Sequence, residues 1–425
     1  MLTTALFGQQ PDRARAVVDL LLQEKYAQLF ERFTPQMKAA LPVATMETNL
    51  KTQFQALGPV QRILDSQSRK NGAFEVVVVP VVFEKATVNI QLSFNEAGEV
   101  AGMFFRPGTA AATPWQAPAY SQADKFRSEE VTVGKGEWAL PGTLLMPAAA
   151  GPSPGVVLVH GSGPNDRDET VGANKPFRDL AEGLASRGIA VLRYEKRTKV
   201  YGAKMAGLNG LTVREETIDD AVAAAELLRS QAGVDQRRIF VLGHSLGGYL
   251  APRIGHQDSK LAGLIVLAGS TRPLDVLIAE QTNYIASLQG NLSADARKQL
   301  EQLQAAAARL KNLKPGDNIP ASELFGVPAS YWLDLKSYDP CAEASSLKMP
   351  MLILQGERDY QVTLADFARW KQALGARKDV VLKTYPNLNH LFEAGQGKSR
   401  PEEYTKPLHV APEVIDDIVK WITGS

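Results

Sequence analysis

Hydrophobic and polar positions follow two different patterns along this chain, and the change falls near residue 106. Apolar residues recur every three or four positions over 18–33, which predicts the buried face of one helix. Apolar and polar residues alternate over 87–94, and mostly apolar runs occupy 74–83 and 100–105, which predicts strands joined by turns. These patterns predict a small α+β domain over residues 1–106.

After that domain the composition of the chain changes. Residues 107–124 are rich in Pro, Ala, Gly, Thr and Ser, which is typical of a stiff, extended linker. Over 125–425, apolar runs alternate with helical patterns, and this order predicts an α/β domain with a doubly wound, mostly parallel sheet. Helical spacing interrupts the alternation over about 270–345. We predict that this insert caps the carboxyl ends of the strands; a helix pair packed elsewhere is the alternative.

The segment Gly243-His244-Ser245-Leu246-Gly247 carries the strongest chemical signal in the chain. An apolar run precedes it and a helical pattern follows it. A Gly-x-Ser-x-Gly turn between a strand and a helix is a nucleophile elbow, which holds a serine hydroxyl exposed above the sheet. The two glycines are expected because neighbouring backbone passes too close for a Cβ atom. Ser245 is therefore the candidate nucleophile.

Two further residues complete a candidate catalytic triad. Asp359 comes shortly after the apolar run 351–354, and His390 follows the run 380–384 in the same way. Residues that follow parallel strands gather at the carboxyl edge of the sheet. The order Ser, acid, His is the one this fold uses. A serine needs a base, and the base needs an anion to fix its tautomer, so we predict that Asp359 orients His390 toward Ser245.

Other residues compete for these roles or have structural interpretations. Glu357 is an alternative acid, and His409 is an alternative base, although it follows no predicted strand. His244 and His256 are interpreted as structural, His244 as a neighbour that supports the serine. Cys341 has no elbow and is interpreted as a small apolar filler.

The tetrahedral intermediate of acyl transfer needs N–H donors aimed at its oxygen. One predicted donor is the backbone N–H of Leu246, directly after the nucleophile. The other is the N–H of Ser162, in the glycine-containing loop 160–164 that follows an apolar run. Residues 167–169 (Arg-Asp-Glu) either line the substrate pocket or form an ion-pair network that braces this loop.

Composition excludes several classes of function. The chain is 44% hydrophobic and 22% charged, so it can bury a sizeable core. It has 47 basic and 46 acidic side chains with no long run of either sign, so nucleic acid is not a predicted partner. A single cysteine excludes an internal disulfide, and five scattered histidines lack metalloprotease spacing. We predict no metal and no other cofactor.

The sequence gives little information on location. It has no run of 18 apolar residues, so no transmembrane helix is predicted. The first ten residues lack the basic start and the apolar length of a signal peptide. A trimmed start would look the same, so localisation stays open, with the cytoplasm as the default.

Five motifs in the second part of the chain occur together in one group of enzymes. They are His160–Glu169, Val191–Arg197, Gly243–Gly248, Gly356–Asp359 and Asn389–His390. In combination they resemble bacterial serine carboxylesterases of the α/β-hydrolase superfamily over residues 125–425. The resemblance implies an α/β-hydrolase fold and hydrolysis of carboxylic esters, often with small acyl groups. It leaves the substrate open, because this fold supports many chemistries.

The first domain adds a second resemblance. Some members of that family carry a small N-terminal α+β domain, which fits residues 11–106. Helices followed by an antiparallel meander resemble the nuclear-transport-factor-like cone folds. One segment departs from the family: Thr198–Tyr201 stands where a glycine-rich turn is common after Arg197. The family's pocket shape is therefore not carried over to Arg197 and Tyr201.

The predicted function is a cofactor-free serine esterase that hydrolyses a small-molecule ester, with a short acyl chain, through an acyl-enzyme on Ser245. A serine peptidase or amidase acting on short peptides is the first alternative, and no sequence feature separates the two. The second alternative is a binding or oligomerisation role set by the N-terminal domain, motivated by the strands predicted over 74–105. Self-association into a homo-oligomer is left open.

Overall fold

A computed structural model describes residues 10–71, 74–84, 86–108, 115–149, 151–205, 208, 210–288 and 294–424. The chain divides into two compact units, Met1–Pro114 (unit 1) and Trp115–Ser425 (unit 2). Residues 109–114 of the predicted linker lie outside the described residues. The domain boundaries at 106 and 125 remain predictions.

Unit 1 combines helices with an antiparallel sheet. Its elements are α1 (Gln10–Leu22), α2 (Tyr26–Glu31), α3 (Pro35–Ala40), α4 (Val43–Leu57), β1 (Val60–Ile63), β2 (Gln67–Asn71), β3 (Phe74–Phe83), β4 (Thr87–Phe94) and β5 (Val100–Gly108). Strand β3 pairs with β1, β2 and β4, and β4 also pairs with β5. Val18 and Leu29 of the helices pack with Val77 and Ile90 of the sheet. The predicted α+β organisation is confirmed.

The prediction of one helix over 18–33 is wrong. The chain turns at Glu24, which has a left-handed φ of 57°, so α1 ends and α2 begins four residues later. The N–H of Lys25 donates to the carbonyl oxygen of Leu20 at 2.9 Å and closes the turn. Tyr26 and Leu29 nevertheless stay buried. Three- and four-residue spacing identifies residues that face a core, and it continues across a short turn.

Unit 2 is built on a second, larger sheet. Its strands are β6 (Phe126–Val133), β7 (Leu140–Pro147), β8 (Ser153–Val159), β9 (Ala190–Tyr194), β10 (Val234–His244), β11 (Gly263–Leu267), β12 (Met351–Gly356) and β13 (Val380–Tyr385). Its helices are α5 (Pro176–Ala185), α6 (Arg197–Met205), α7 (Asp219–Arg229), α8 (Leu246–Gln257), α9 (Leu274–Leu288), α10 (Ala294–Asn312), α11 (Ala329–Lys336), α12 (Pro340–Ser346), α13 (Leu364–Leu374) and α14 (Pro412–Thr423). A π-helical turn, Arg214–Ile218, leads into α7.

The strand order in this sheet is β6-β7-β9-β8-β10-β11-β12-β13. Strand β7 is antiparallel to both of its neighbours, and the pairs from β9 to β13 are parallel. Strands β8, β9, β11 and β12 are buried along their whole length, as expected for parallel strands with both faces covered. The predicted α/β-hydrolase fold is confirmed.

Side chains alternate between two cores, one on each face of the sheet. Val157 points into the core with helices α7, α8 and α13, and Leu158 points into the core with α5 and α14. The same alternation continues in β12, where Ile353 and Leu354 face opposite cores. The sheet is therefore held rigidly from both sides, and the residues after its strands are carried on a fixed frame.

The first residues of unit 2 lie against its helices. The indole N–H of Trp115 donates to Asp179 Oδ1 at 2.8 Å, and the hydroxyl of Tyr120 donates to the carbonyl oxygen of Val410 at 2.8 Å. Ser121 donates to Glu182 of α5. This part of the predicted linker is attached to the rest of unit 2 by side-chain hydrogen bonds.

The helices α9–α12 form the insert between β11 and β12. Tyr249 of α8 donates to the carbonyl oxygen of Leu335 at 3.2 Å, and Arg253 of α8 pairs with Asp334 at 2.9 Å. Gln281 of α9 donates to the carbonyl oxygen of Gln361, after β12, at 2.9 Å. The insert therefore lies beside segments that follow the strands. Within the described ranges, no helix combines the length and the hydropathy needed to cross a bilayer.

A cavity in the interior strand β11 is expected to lower the free energy of unfolding strongly. Ile265 is fully buried between Leu242 and Leu352 of the neighbouring strands, so Ile265→Ala is expected to lower the free energy of unfolding by about 3 kcal/mol. All five tryptophans lie in unit 2, so fluorescence during urea unfolding reports on this unit. Val381→Ala, on β13 and 44% exposed, is the control, with a loss below about 1 kcal/mol. Equal losses would contradict the assignment of Ile265 to the core.

Candidate active site

Ser245 lies at the turn between β10 and α8. Its φ of 52° and ψ of −113° are values that non-glycine residues rarely adopt. Its N–H donates to the carbonyl oxygen of Leu267 at 2.9 Å, and its own carbonyl accepts from the N–H of Tyr249 at 2.9 Å. These bonds hold the strained conformation between the neighbouring strand and the first turn of the helix.

The glycines on either side of the elbow are required by close backbone contacts. A Cβ atom on Gly243 would lie 2.2 Å from the carbonyl oxygen of Gly247. A Cβ atom on Gly247 would lie 2.2 Å from the carbonyl oxygen of Val159, at the end of β8. Both distances are far inside van der Waals contact. Gly243 therefore allows the tight turn itself, and Gly247 allows the turn to approach β8, as the sequence predicts.

The structure brings Asp359 and His390 together. Nδ1 of His390 lies 2.7 Å from Oδ2 of Asp359, and both side chains are buried. Asp359 follows β12 and His390 follows β13, which are adjacent parallel strands. An ionised carboxylate only accepts hydrogen bonds, so Nδ1 of His390 carries a proton and donates it. Nε2 is then the ring nitrogen that can accept a proton.

The carboxylate of Asp359 is held by several donors. Oδ1 accepts from the N–H groups of Gln361 at 2.7 Å and Val362 at 3.0 Å, and Oδ2 also accepts from Gln355 Nε2 at 3.0 Å. Glu357, the alternative acid, is exposed and accepts instead from Thr384 Oγ1 at 2.7 Å. The geometry therefore favours Asp359 over Glu357 as the partner of the histidine.

The other sequence candidates have different partners. His409 Nδ1 lies 3.1 Å from Asp179, and His256 pairs with Glu343 at 3.1 Å on the surface. Cys341 is buried in α12, and burial raises the pKa of its thiol to about 12. A thiol in that state is a poor nucleophile.

The loop that carries Ser162 lies directly against Ser245. A Cβ atom on Gly161 would lie 3.2 Å from Cβ of Ser245. Leu246 is the first residue of α8, so its N–H is one of those that have no partner within the helix. The two predicted oxyanion donors therefore belong to segments that adjoin Ser245.

Comparisons with known proteins agree with this architecture. Residues 152–394, more than half of the chain, match the family model described as serine aminopeptidase, S33. Over 423 residues the chain is 36% identical to Esterase EstD of Thermotoga maritima, covering 98% of this chain and 96% of that protein. The chain belongs to the S33 family.

Other matches of this S33-family protein cover less of its chain than the match to Esterase EstD does. Residues 14–103 match a model described as a protein of unknown function, DUF3887. Dipeptidyl aminopeptidase BIII of Pseudoxanthomonas mexicana is 28% identical over 258 residues, which cover 60% of this chain and 32% of that protein. An esterase structure from Pyrococcus furiosus has a TM-score of 0.45 at 16% identity, covering 74% of this chain and 99% of that chain.

A second histidine–carboxylate pair lies beside the elbow of the S33-family protein. Oε1 of Glu169 accepts from the N–H of Gly161, and its Oε2 lies 2.9 Å from Nδ1 of His244. Nε2 of His244 lies 3.0 Å from the carbonyl oxygen of His390. Both nitrogens of His244 face acceptors, an arrangement that favours the doubly protonated, charged ring. The pair connects the Gly161 loop, the elbow and the segment of His390.

The charges of this pair support each other. Burial works against a charge on His244, but the Glu169 carboxylate raises the pKa of the imidazole above its usual range. Burial also works against an ionised Glu169, yet the charge and hydrogen bond of His244 hold the pKa of that carboxyl below its usual range. His160 differs, because burial lowers its pKa to about 4 and leaves the ring neutral.

Arg167 and Asp168 form ion pairs that brace the loop after β8, which is one of the two interpretations that the sequence left open. Arg167 pairs with Glu195 at 2.8 Å and with Glu130 at 2.7 Å, and Asp168 pairs with Lys175 at 2.7 Å. These ion pairs attach the loop after β8 to β6, to the end of β9 and to the start of α5.

Sequence reasoning missed one pair at this site. Lys196 is 2% exposed, and its Nζ donates to the carbonyl oxygen of Gly161 at 2.8 Å and lies 3.0 Å from Glu216 Oε1. Lysine is usually exposed, so nothing in the sequence predicts its burial. The one feature of the sequence that could have pointed to Lys196 is its position just after β9, because residues that follow parallel strands gather at the carboxyl edge of the sheet.

The Glu169–His244 pair predicts a pH-dependent contribution to stability. Because folding raises the pKa of His244, its contribution is complete below the ordinary value of 6.5 and declines as the pH rises through the raised value. Because folding lowers the pKa of Glu169, its contribution is complete above the ordinary value of 4.5 and declines as the pH falls through the lowered value. The free energy of unfolding lost in Glu169→Gln is therefore expected to be largest between these two values.

The loss at that maximum is expected to be about 3 kcal/mol, because one partner of a buried ion pair is removed. Urea unfolding of both proteins from pH 4 to 9, followed by tryptophan fluorescence, measures the difference. Glu343→Gln removes the partner of the exposed His256 and serves as the control with no such maximum. A loss independent of pH would contradict the charged pair.

Proposed function

We propose that this protein is a carboxylic ester hydrolase whose nucleophile is Ser245. The match to Esterase EstD carries the proposal, because it runs through both units of the chain. The S33 family model and the contact between His390 and Asp359 add support. The proposed substrate is a small-molecule ester with a short acyl chain.

The proposed reaction begins with transfer of the Ser245 proton to His390 Nε2, as Oγ of the serine attacks the acyl carbon. The negative charge that develops on the acyl oxygen is stabilised by the N–H groups of Ser162 and Leu246. The bond to the alcohol then breaks, and His390 gives its proton to the leaving oxygen. A water molecule, activated by the same histidine, hydrolyses the acyl-enzyme and regenerates Ser245.

Asp359 acts on this reaction through His390. Its contact with Nδ1 keeps Nε2 available as the base, and its charge stabilises the imidazolium that forms during attack. The donors from Gln355, Gln361 and Val362 keep the carboxylate oriented. The proposed triad is thus supported on its acidic side by fixed backbone and amide groups.

The proposal extends to the roles of the two units. The DUF3887 match lies within unit 1, and the S33 match lies within unit 2, which supports separate domains with catalysis assigned to unit 2. The bonds from the insert to α8 and to the segment after β12 support its role as a cap on the substrate side.

The nucleophile is tested by Ser245→Ala. The variant is expected to lower kcat on p-nitrophenyl acetate by at least about 10⁴-fold with an unchanged circular dichroism spectrum, because the substitution removes the attacking oxygen. A fluorophosphonate probe should give one adduct on Ser245 of the wild type, located by mass spectrometry. Ser346→Ala, an exposed serine of α12, is the matched control and should keep wild-type turnover. Near-wild-type turnover in Ser245→Ala would contradict the mechanism.

The substrate class is tested with the same preparation. Rates on p-nitrophenyl esters from acetate to decanoate are expected to be highest for the short chains. Aminoacyl anilides measure the competing peptidase activity, since the family model and one relative are named for aminopeptidases. Labelling of Ser245 with turnover of anilides and not of esters would keep the nucleophile and replace esterase by peptidase.

A further inference from the structure

The peptide group between Gly161 and Ser162 is held more firmly than a glycine-containing loop requires. Its carbonyl oxygen, on Gly161, accepts from Lys196 Nζ at 2.8 Å and from Asn165 Nδ2 at 3.2 Å. The N–H of Gly161, in the preceding peptide group, donates to Glu169. Glycine permits many backbone conformations, so these bonds select one orientation.

The Lys196 side chain is itself fixed in the interior. Its ammonium group is neutralised by Glu216 Oε1 at 3.0 Å. The other oxygen of Glu216 accepts from the hydroxyl of Tyr331, on α11 of the insert, at 2.6 Å. A buried lysine is costly unless it is paired. The pair with Glu216 uses one N–H of the ammonium group, so another can donate to the carbonyl oxygen of Gly161.

The direction of the Gly161 carbonyl determines the direction of the next N–H group. In a planar trans peptide, the C=O of one residue and the N–H of the following residue point in opposite directions. The bond from Lys196 to the Gly161 oxygen therefore turns the N–H of Ser162 away from Lys196. A positive charge on the carbonyl oxygen also polarises the peptide group and makes that N–H a stronger donor.

We propose that Lys196 is a positioning residue for the oxyanion hole. It orients and polarises the Gly161–Ser162 peptide so that the N–H of Ser162 meets the oxygen of the tetrahedral intermediate. It acts through that peptide and does not contact the substrate. This inference rests on the proposed ester hydrolysis through Ser245, and Gly161 is the residue of the loop that lies against that serine.

The first test is Lys196→Met, which keeps an unbranched side chain and removes the charge. Because loss of one oxyanion donor typically costs 10²–10³ in kcat, we expect kcat on p-nitrophenyl acetate to fall roughly 100-fold with KM changed less than about threefold. Lys199→Met, an exposed lysine three residues further along, is the matched control with wild-type kinetics. Concentrations of active enzyme are taken from titration with the fluorophosphonate probe.

A second readout separates positioning from a general structural defect. Trifluoromethyl ketones add to the nucleophilic serine as tetrahedral adducts with a negative oxygen, so their affinity reports on the oxyanion hole. The inhibition constant for an acetyl-sized trifluoromethyl ketone is expected to rise roughly 100-fold in Lys196→Met, in parallel with kcat/KM. A merely structural role would reduce the titratable fraction and leave the inhibition constant of the active fraction unchanged.

The Lys196→Met variant leaves Glu216 buried without its cation, which lowers stability. The double variant Lys196→Met, Glu216→Gln removes both charges, and the amide oxygen introduced at position 216 can still accept the bond from Tyr331. It is expected to show the same losses in kcat and inhibitor affinity as Lys196→Met. Wild-type kcat and inhibitor affinity in the double variant would overturn the role of Lys196, while a wild type with no adduct on Ser245 would overturn both proposals.

Discussion

The approach of β10 and α8 to the end of β8 is the contact on which the candidate site depends. At Gly247 this approach leaves no space for a Cβ atom beside the carbonyl oxygen of Val159. The same approach brings Ser245 beside Gly161, which lies two residues beyond the end of β8. Ser245 and the loop of Ser162 are therefore placed together by backbone contact. Side-chain interactions adjust the arrangement that this contact creates.

Buried charges connect the segments that meet at this point. Glu169 bonds to Gly161 and to His244, and His244 bonds to the carbonyl oxygen of His390. Lys196 bonds to Gly161 from the other side. These groups are matched in charge and placed so that each polar atom named here has a partner, which is the condition under which burial is tolerated. The arrangement explains why so many ionisable side chains surround a proposed triad of only three residues.

Much of the fold could be predicted from the sequence. Strands β8, β9, β11 and β12 stand out as apolar runs because they are buried on both faces, and Asp359 follows β12. The single helix predicted over 18–33 failed for a related reason, since hydrophobic spacing reports which residues face the core and continues through the turn at Glu24. The choice between Glu357 and Asp359 needed the structure, because the two residues stand only two positions apart in the same loop.

The sequence by itself determined the parts of the protein that depend on near neighbours along the chain. The elbow at Ser245 and its two required glycines follow from a strand, a turn and a helix that succeed one another along the chain. Only the tertiary structure decided which buried charges meet, because the partners are distant in sequence: 35 residues separate Gly161 from Lys196, 75 separate Glu169 from His244, and 115 separate Glu216 from Tyr331. The folded sheet and its loops bring such partners together, and the local sequence around each residue does not predict which partner it meets.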